Sequence, residues 1–280
     1  MKTALSTGLA LVCWAVLLPD ASAAGPCDDL SAAQRGVADA VFASWHPNSC
    51  CLDTIASCLQ QRPVCPLARR LERAVCLMSS KGFDKAQVEQ ALERRKESMV
   101  QCGLVASFVM DERFMAGDPA APVSLVLYAC GRSPVCAKLV PALYEEVTTG
   151  RLAGKVRIYF RPYYKAEPKE ALECSRAMVA AATVGGFWKY LLALYRHYDD
   201  FNLCRVELLA QTVGLNENAF KAAYDDLAGV EYLAASKQEA ERNKVDAAPT
   251  LFIGGRKYVH EVSPEVLTDV LEEEWERVHP

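Results

Sequence analysis

The sequence predicts an α/β fold carrying a helical insertion, with a small all-α, cysteine-rich unit ahead of it. Three observations lead there. Seven cysteines crowd residues 27–102 among helical periodicities, two apolar strand-like runs flank a helical run after residue 118, and a Gly-Gly turn joins two further strands near the C-terminus.

The chain opens "MKTALSTGLALVCWAVLLPDASAAG": one lysine, an apolar core from Leu9 to Leu18, then the small-x-small triplet Ala21-Ser22-Ala23. That pattern predicts a signal peptide over residues 1–23, whose apolar run is too short to cross a bilayer. Neither Cys13, after Val12, nor Cys27, after Pro26, follows the small residue that a lipid anchor requires. The remaining chain holds no run long and apolar enough to span a membrane, so a periplasmic or secreted protein is expected. Of the 12 cysteines, Cys13 leaves with the leader and an odd number stays. In an oxidising compartment that density means disulfides, with at least one thiol free, bound to something or paired between chains.

The helical unit is expected over residues 24–105. "SAAQRGVADAVFASW" is amphipathic, and "CPLARRLERAVCLMSSKG" puts Leu67, Leu71, Val75 and Met78 on one face between Pro66 and Gly82. "FDKAQVEQALERRKESM" opens with Asp84 and Gln87 at capping-box spacing and turns Val88, Leu92 and Met99 inward. A unit this small seldom holds on burial alone, which gives Cys27, Cys50, Cys51, Cys58, Cys65, Cys76 and Cys102 a structural purpose as disulfide candidates. The spacing of Cys50, Cys51, Cys58 and Cys65 beside His46 fits no familiar zinc pattern, so no metal is expected. The bundle also has a faint likeness to the three-helix thiol domain of cytochrome c maturation proteins, without the Cys-x-x-Cys that precedes their helices.

The α/β unit is expected over residues 106–280. "GDPAAPVSLVLY" reads as a strand, Pro134 to Thr149 as a helix, and "GKVRIYFRP" as a second strand alternating Val156, Ile158 and Phe160. A helical insert follows at about 166–243, broken at Gly185-Gly186, "YDDFN", Gly214 and Gly229. "APTLFIGGRKYVH" gives a hairpin, and Ser263-Pro264 starts a last helix. Cys174 and Cys204, both in the insert, are read as a structural disulfide or a buried pair of thiols in preference to a second redox pair. "FWKYLLALY" is an aromatic stripe of core type, "ERNKV" and "EEEWER" are charged helix faces, and His197, His260 and His279 are placed at the surface or at helix ends. A formal net charge of -4 argues against a nucleic-acid surface, which needs a basic patch.

That order, with "YACGRSPVC" at the first strand-to-helix junction, resembles the thioredoxin fold, and within it the DsbA-like thiol-disulfide oxidoreductases, which carry a helical insert. The likeness runs roughly from Ala116 to Val278 and rests on "GDPAAPVSLVLY", "SPVCAKLVPAL", "GGFWKYLLALY" and "VDAAPTLFIGGRKY" taken together. In that family the junction reads Cys-Pro-x-Cys and the first cysteine is a nucleophile whose thiolate the helix N-terminus favours. Here Pro134 and Cys136 match, but Ser133 stands at the nucleophile position, and a hydroxyl forms no disulfide. Cys130, three residues earlier, makes a Cys-x5-Cys pair with Cys136.

Three readings of the junction follow. Cys130 and Cys136 are a displaced redox pair; or Ser133 holds a glutathione thiolate, as the Ser-Pro of kappa-class glutathione transferases and their isomerase relatives does; or Ser133 only caps the helix ahead of Pro134 and the site is inactive. The resemblance further implies a cis bond before Pro249, and a role for the backbone of Ala248, with Pro134 nearby, in holding a bound peptide. The leading expectation is thiol-disulfide exchange at Cys130 and Cys136, shaped by Pro249 and Ser133, without a cofactor. Its partners would be extended cysteine-containing protein segments and a redox partner protein. The competing expectation is a redox-inactive thioredoxin-fold module that binds peptides in the same groove.

Overall fold

The computed structural model describes residues 25–47, 51–99, 105–164, 169–200, 202 and 205–279. The expected leader and the disulfide candidates Cys50, Cys102 and Cys204 lie outside them, as does the side chain of Met99.

Four helices form the N-terminal part: α1 (Ala32–Phe42), α2 (Ile55–Gln60), α3 (Pro66–Ser80) and α4 (Lys85–Met99). Ser31 and Gln34 make a reciprocal capping box at α1. The expected one at α4 is present too, Asp84 Oδ1 accepting from the Gln87 amide and Gln87 Oε1 from the Asp84 amide, each at 2.9 Å. α3 starts with Pro66 at its first turn and ends before Gly82, whose φ of 85° only glycine adopts freely. Val41, Ile55, Val75, Met78, Val88 and Leu92 close a small core. Cys27 is bonded to Cys76 across a sequence separation of 49, and Cys51 to Cys58; Cys65 is disulfide-bonded as well. A loop of that length, once closed, removes roughly 4 kcal/mol of unfolded-chain entropy in the chain-entropy model.

The rest is built on a sheet of order β1-β3-β2-β4-β5. β2 (Val123–Ala129) and β3 (Val156–Pro162) run parallel, joined by α5 (Pro134–Thr148). β4 (Thr250–Ile253) returns antiparallel to β2 and turns through Gly254-Gly255, both at positive φ, into β5 (Arg256–Lys257). At the far edge β1 (Met115–Ala116) pairs antiparallel with β3, too short a strand to show in the sequence pattern. The alternation is strict: Leu125, Leu127, Val156, Ile158, Phe160 and Leu251 face the main core, while Val126, Tyr128, Tyr159 and Phe252 face a second cluster on the opposite side. Phe108 seals that second face, its ring 5.0 Å from that of Phe252.

The insert comprises α6 (Lys169–Thr183), α7 (Phe187–Arg196), α8 (Val206–Thr212), α9 (Glu217–Asp225) and α10 (Leu227–Arg242). The aromatic stripe of α7 is core, as read: Phe187, Tyr190 and Tyr195 are buried. Gly229 does not break the helix as expected; the break falls at Asp226, whose carboxylate caps α10 by accepting from the Ala228 amide, and Gly229 sits inside that helix. α11 (Pro264–Val278) ends the chain, capped by Ser263.

Two further expectations are corrected at α11. "EEEWER" is no solvent face: Arg70 of α3 makes a two-pronged contact with Glu276, Arg95 of α4 pairs with Glu273, and Arg73 reaches Asp269 at 2.7 Å. A periodicity reading counts charges as solvated, and cannot see that a second helical layer brings cations of its own. His260, expected at the surface, is only 8% exposed. Burial first, then the charges of Arg95 and Arg94, bring its pKa down to about 4.

Candidate active site at the strand-to-helix turn

β2 delivers Cys130 to a turn, Cys130-Gly131-Arg132-Ser133, that feeds α5. Ser133 is the cap: its Oγ accepts from the Cys136 amide at 3.3 Å, and Pro134 occupies the first helical position. Both local preferences that the sequence shows are therefore used. Cys136 is fully buried one turn inside the helix, whereas Cys130 is half-buried and Pro134 and Val135 are exposed. Both cysteines are thiols.

Pro249 follows a cis peptide bond with Ala248. Tyr128 pairs with Thr250 in the β2–β4 register, so continuing that ladder by two residues brings Ala248 level with Cys130. Ala248 and Pro249 are half-buried, and form one wall beside the turn.

Three residues that sequence reading did not assign to the site belong to it. Arg132 donates its backbone N–H to Cys130 Sγ at 3.3 Å, while its guanidinium donates to the Tyr198 carbonyl at 2.7 Å and lies over the Tyr198 ring. Tyr195, on α7, donates its hydroxyl to the Cys130 carbonyl at 3.3 Å. Cys174, expected in a structural disulfide or as one of two buried thiols, is a buried thiol against the turn. A Cβ placed on Gly131 would stand 3.2 Å from the Cβ of Cys174 and 2.9 Å from Leu194 Cδ2. Glycine at 131 is what lets α6 and α7 close on the turn. The sequence offered one signal, a glycine directly after the cysteine; which helix it faces is a matter of tertiary packing.

Electrostatics set the reactivity. Burial pushes the Cys130 thiol up, opposed by the Arg132 amide and charge. Burial also raises Cys136, against hydrogen bonding by Ser133 and by the Cys130 backbone, and the Cys130 sulfur adds to the rise. Cys174 is pushed up to about 12, mainly by burial, with Arg132 pulling the other way. Tyr195 is held neutral, first by burial and then by the three thiols around it. The dipole and cap at α5 favour a thiolate, but desolvation outweighs them here.

A depression of about 300 Å³ opens between α5 and α7 beside this turn, lined by Ala137, Pro141, Tyr144, Leu192, Tyr195 and Arg196, among others. Among the described residues no group of histidine, cysteine or carboxylate side chains is arranged to hold a metal ion.

A family model described as "Thioredoxin" matches residues 110–273, more than half of the chain. The chain belongs to the thioredoxin family. Its fold is that of solved DsbA-like structures: BdbD from Bacillus subtilis (TM-score 0.52, 14% identity, covering 62% of this chain and 100% of that one) and the thiol-disulfide exchange protein alpha-DsbA2 from Wolbachia pipientis (TM-score 0.51, 15% identity, 66% and 95%). A thioredoxin-like oxidoreductase from Silicibacter pomeroyi is similar to the same degree (TM-score 0.50, 17% identity, 60% and 99%). Among curated proteins this family member is similar to the Na(+)/H(+) antiporter NhaA 3 of Salinispora tropica, 27% identical over 150 residues, and to NhaA 1 of Mycolicibacterium gilvum, 26% identical over 146 residues. The match takes in 53% and 51% of this chain but only 22% and 23% of those proteins, so the chain spans about a fifth of their length. Among the described residues no helix is long and apolar enough to cross a membrane.

Proposed function

We propose that this thioredoxin-family protein is an exported thiol-disulfide oxidoreductase, and that Cys130 is its attacking thiol with Cys136 as the resolving one. The observation that carries this reading is the difference in exposure: Cys130 is reachable beside the Ala248-Pro249 wall, while Cys136 is fully buried one helical turn on. An extended cysteine-containing segment would lie along the Ala248 backbone and over Pro134.

In the reducing direction the Cys130 thiolate attacks one sulfur of a substrate disulfide. A mixed disulfide forms, and the other substrate sulfur leaves as a thiolate and takes up a proton. Cys136, once deprotonated, attacks the Cys130 sulfur and releases the second substrate thiol. Two electrons have then passed from the cysteine pair to the substrate, and reduction of the resulting Cys130–Cys136 disulfide by a redox partner protein would reset the pair. A strong oxidant needs a reduced form stabilised as thiolate, and burial here opposes that at both sulfurs. The reading therefore favours reduction or isomerisation of substrate disulfides.

Export is supported by the leader-like N-terminus and by the Cys27–Cys76 and Cys51–Cys58 bonds, which persist in oxidising compartments. The division into a helical domain ending near residue 105 and an α/β domain after it is part of the same proposal. The test is reduction of insulin by the wild type and by Cys130→Ser: loss of turnover in the variant supports the reading, and unchanged turnover removes Cys130 from it.

A second reading, a peptide-binding module without turnover, draws on one observation: burial raises the pKa of all three thiols of the turn. Insulin turnover by the wild type separates the two, since a module without turnover predicts none.

A further inference from the structure

Cys174 was the residue with the least to do in the sequence, and in the structure it is the third sulfur of the turn. It lies on α6, is fully buried, and is a thiol. Its Cβ lies 3.2 Å from where a Cβ on Gly131, the residue next to Cys130, would stand, a tight approach that glycine leaves open. Arg132, two residues from Cys130, acts electrostatically on both sulfurs, and the Tyr195 ring senses Cys136, Cys130 and Cys174 together. Cys130 thus has a buried neighbour on each side: Cys136 across the helix start and Cys174 across the Gly131 contact.

We propose that Cys174 is a second resolving thiol for Cys130, so that the turn is a three-sulfur relay in which a mixed disulfide at Cys130 can be released by either neighbour. The inference rests on Cys130 being the attacking thiol, as proposed above. The mixed disulfide joins the Cys130 sulfur to a substrate sulfur; the Cys174 thiolate, its proton having passed to solvent or to the first departing thiolate, attacks the Cys130 sulfur. A Cys130–Cys174 bond forms, the substrate sulfur leaves as a thiolate, and two electrons have moved from the cysteine pair to the substrate. Closing that bond asks for an α-carbon separation of roughly 4.4–6.8 Å, which a side-chain-free residue at 131 permits on that side. The product is an oxidised pair sealed beneath the insert helices, out of reach of a second bulky substrate but open to exchange with Cys136.

The experiment uses the full chain and 5,5′-dithiobis(2-nitrobenzoate) as the disulfide probe, with intact-mass and peptide mapping of the products. In Cys136→Ser the expected product is an intramolecular Cys130–Cys174 bond with both nitrobenzoate thiols released and no adduct retained. In Cys136→Ser/Cys174→Ser the adduct on Cys130 is expected to persist. If the single variant retains the adduct as fully as the double one, the relay is wrong while Cys130 stands as the attacking thiol. If Cys130 takes up no probe in any variant, the proposed function fails and the relay with it. A wild-type measurement covers the chance that the buried Cys174→Ser variant does not fold: after oxidation by the same probe, a Cys130–Cys174 peptide supports the relay. A Cys174–Cys204 bond overturns it, as does a Cys174 that stays a thiol throughout the same oxidation of Cys136→Ser.

Discussion

Gly131→Ala turns the packing of the turn into a number. A methyl group there would stand 2.9 Å from Leu194 Cδ2, 3.2 Å from Cys174 Cβ and 3.6 Å from Met178 Cε. The first distance is shorter than carbon atoms tolerate and the second is tight, so the buried Leu194 side chain must repack and α6 or the turn must give by a few tenths of an ångström. Overpacking of this kind costs about 1–3 kcal/mol. Because Gly131 is not at positive φ, the substitution carries no backbone strain, and it stabilises by roughly 0.4–1 kcal/mol through the unfolded chain. The steric cost is the larger, and a net loss of about 0.5–2 kcal/mol follows. In a chain of this size each kcal/mol moves the melting temperature by about 2–4 °C, so thermal unfolding followed by circular dichroism should fall by several degrees. An outward shift of the turn would also expose Cys130 further, and alkylation of that thiol by iodoacetamide should quicken at fixed pH. A variant that melts at or above the wild-type temperature with unchanged alkylation would refute the claim that glycine is needed for the insert to close on the turn.

Three other outcomes follow. Ser133→Cys restores a Cys-Pro-x-Cys junction at the capping position; insulin reduction should rise well above wild type if the groove accepts peptides, and no change would mean that the turn is not a substrate site. Arg95→Met leaves Glu273 buried without its hydrogen-bonded cation, with the charge of Arg70 alone to offset its desolvation. Chemical denaturation should show a loss of about 3–5 kcal/mol, largely recovered in Arg95→Met/Glu273→Leu, and a loss below 1 kcal/mol would show that the helical layer does not lean on α11. His260 supplies the pH test: its folded pKa, about 4, lies below the ordinary value near 6.5, so only the unfolded chain takes up the proton between them. Its contribution is complete above pH 6.5 and drains away at about 1.4 kcal/mol per pH unit as the pH falls towards 4; His260→Gln should flatten that window, and an unaltered slope would refute the assignment.

Most of the scaffold was legible because local chemistry agreed with the final packing. Asp84 and Gln87, Ser133 and Pro134, Ser263 and Pro264 each set an end of a helix where their spacing said they would. The alternation of Val156, Ile158 and Phe160 gave the face of β3, and likeness to relatives gave the cis bond at Pro249. What escaped was set by contacts between distant segments. Cys174 read as a disulfide candidate because an exported, cysteine-rich chain makes that the ordinary fate, and only the approach of α6 to Gly131 marks it as a neighbour of Cys130. Likewise the acidic run on α11 read as solvated until Arg70, Arg73 and Arg95 were seen to meet it. Gly229 looked like a helix break because glycine favours one, but the Asp226 cap had already begun α10 three residues before it.

The measurement that bears most directly on the account is redox titration of the full chain with disulfide mapping at each step. The protein is equilibrated in glutathione buffers of falling potential, quenched in acid, alkylated and digested without reduction. Thiol-disulfide exchange at this turn predicts that Cys130 is found in the first bond to open, paired with a sulfur of the same turn, while Cys27–Cys76 and Cys51–Cys58 persist to lower potentials. A Cys130 that stays a thiol at every potential, or that is locked in a bond as resistant as those two, would contradict it.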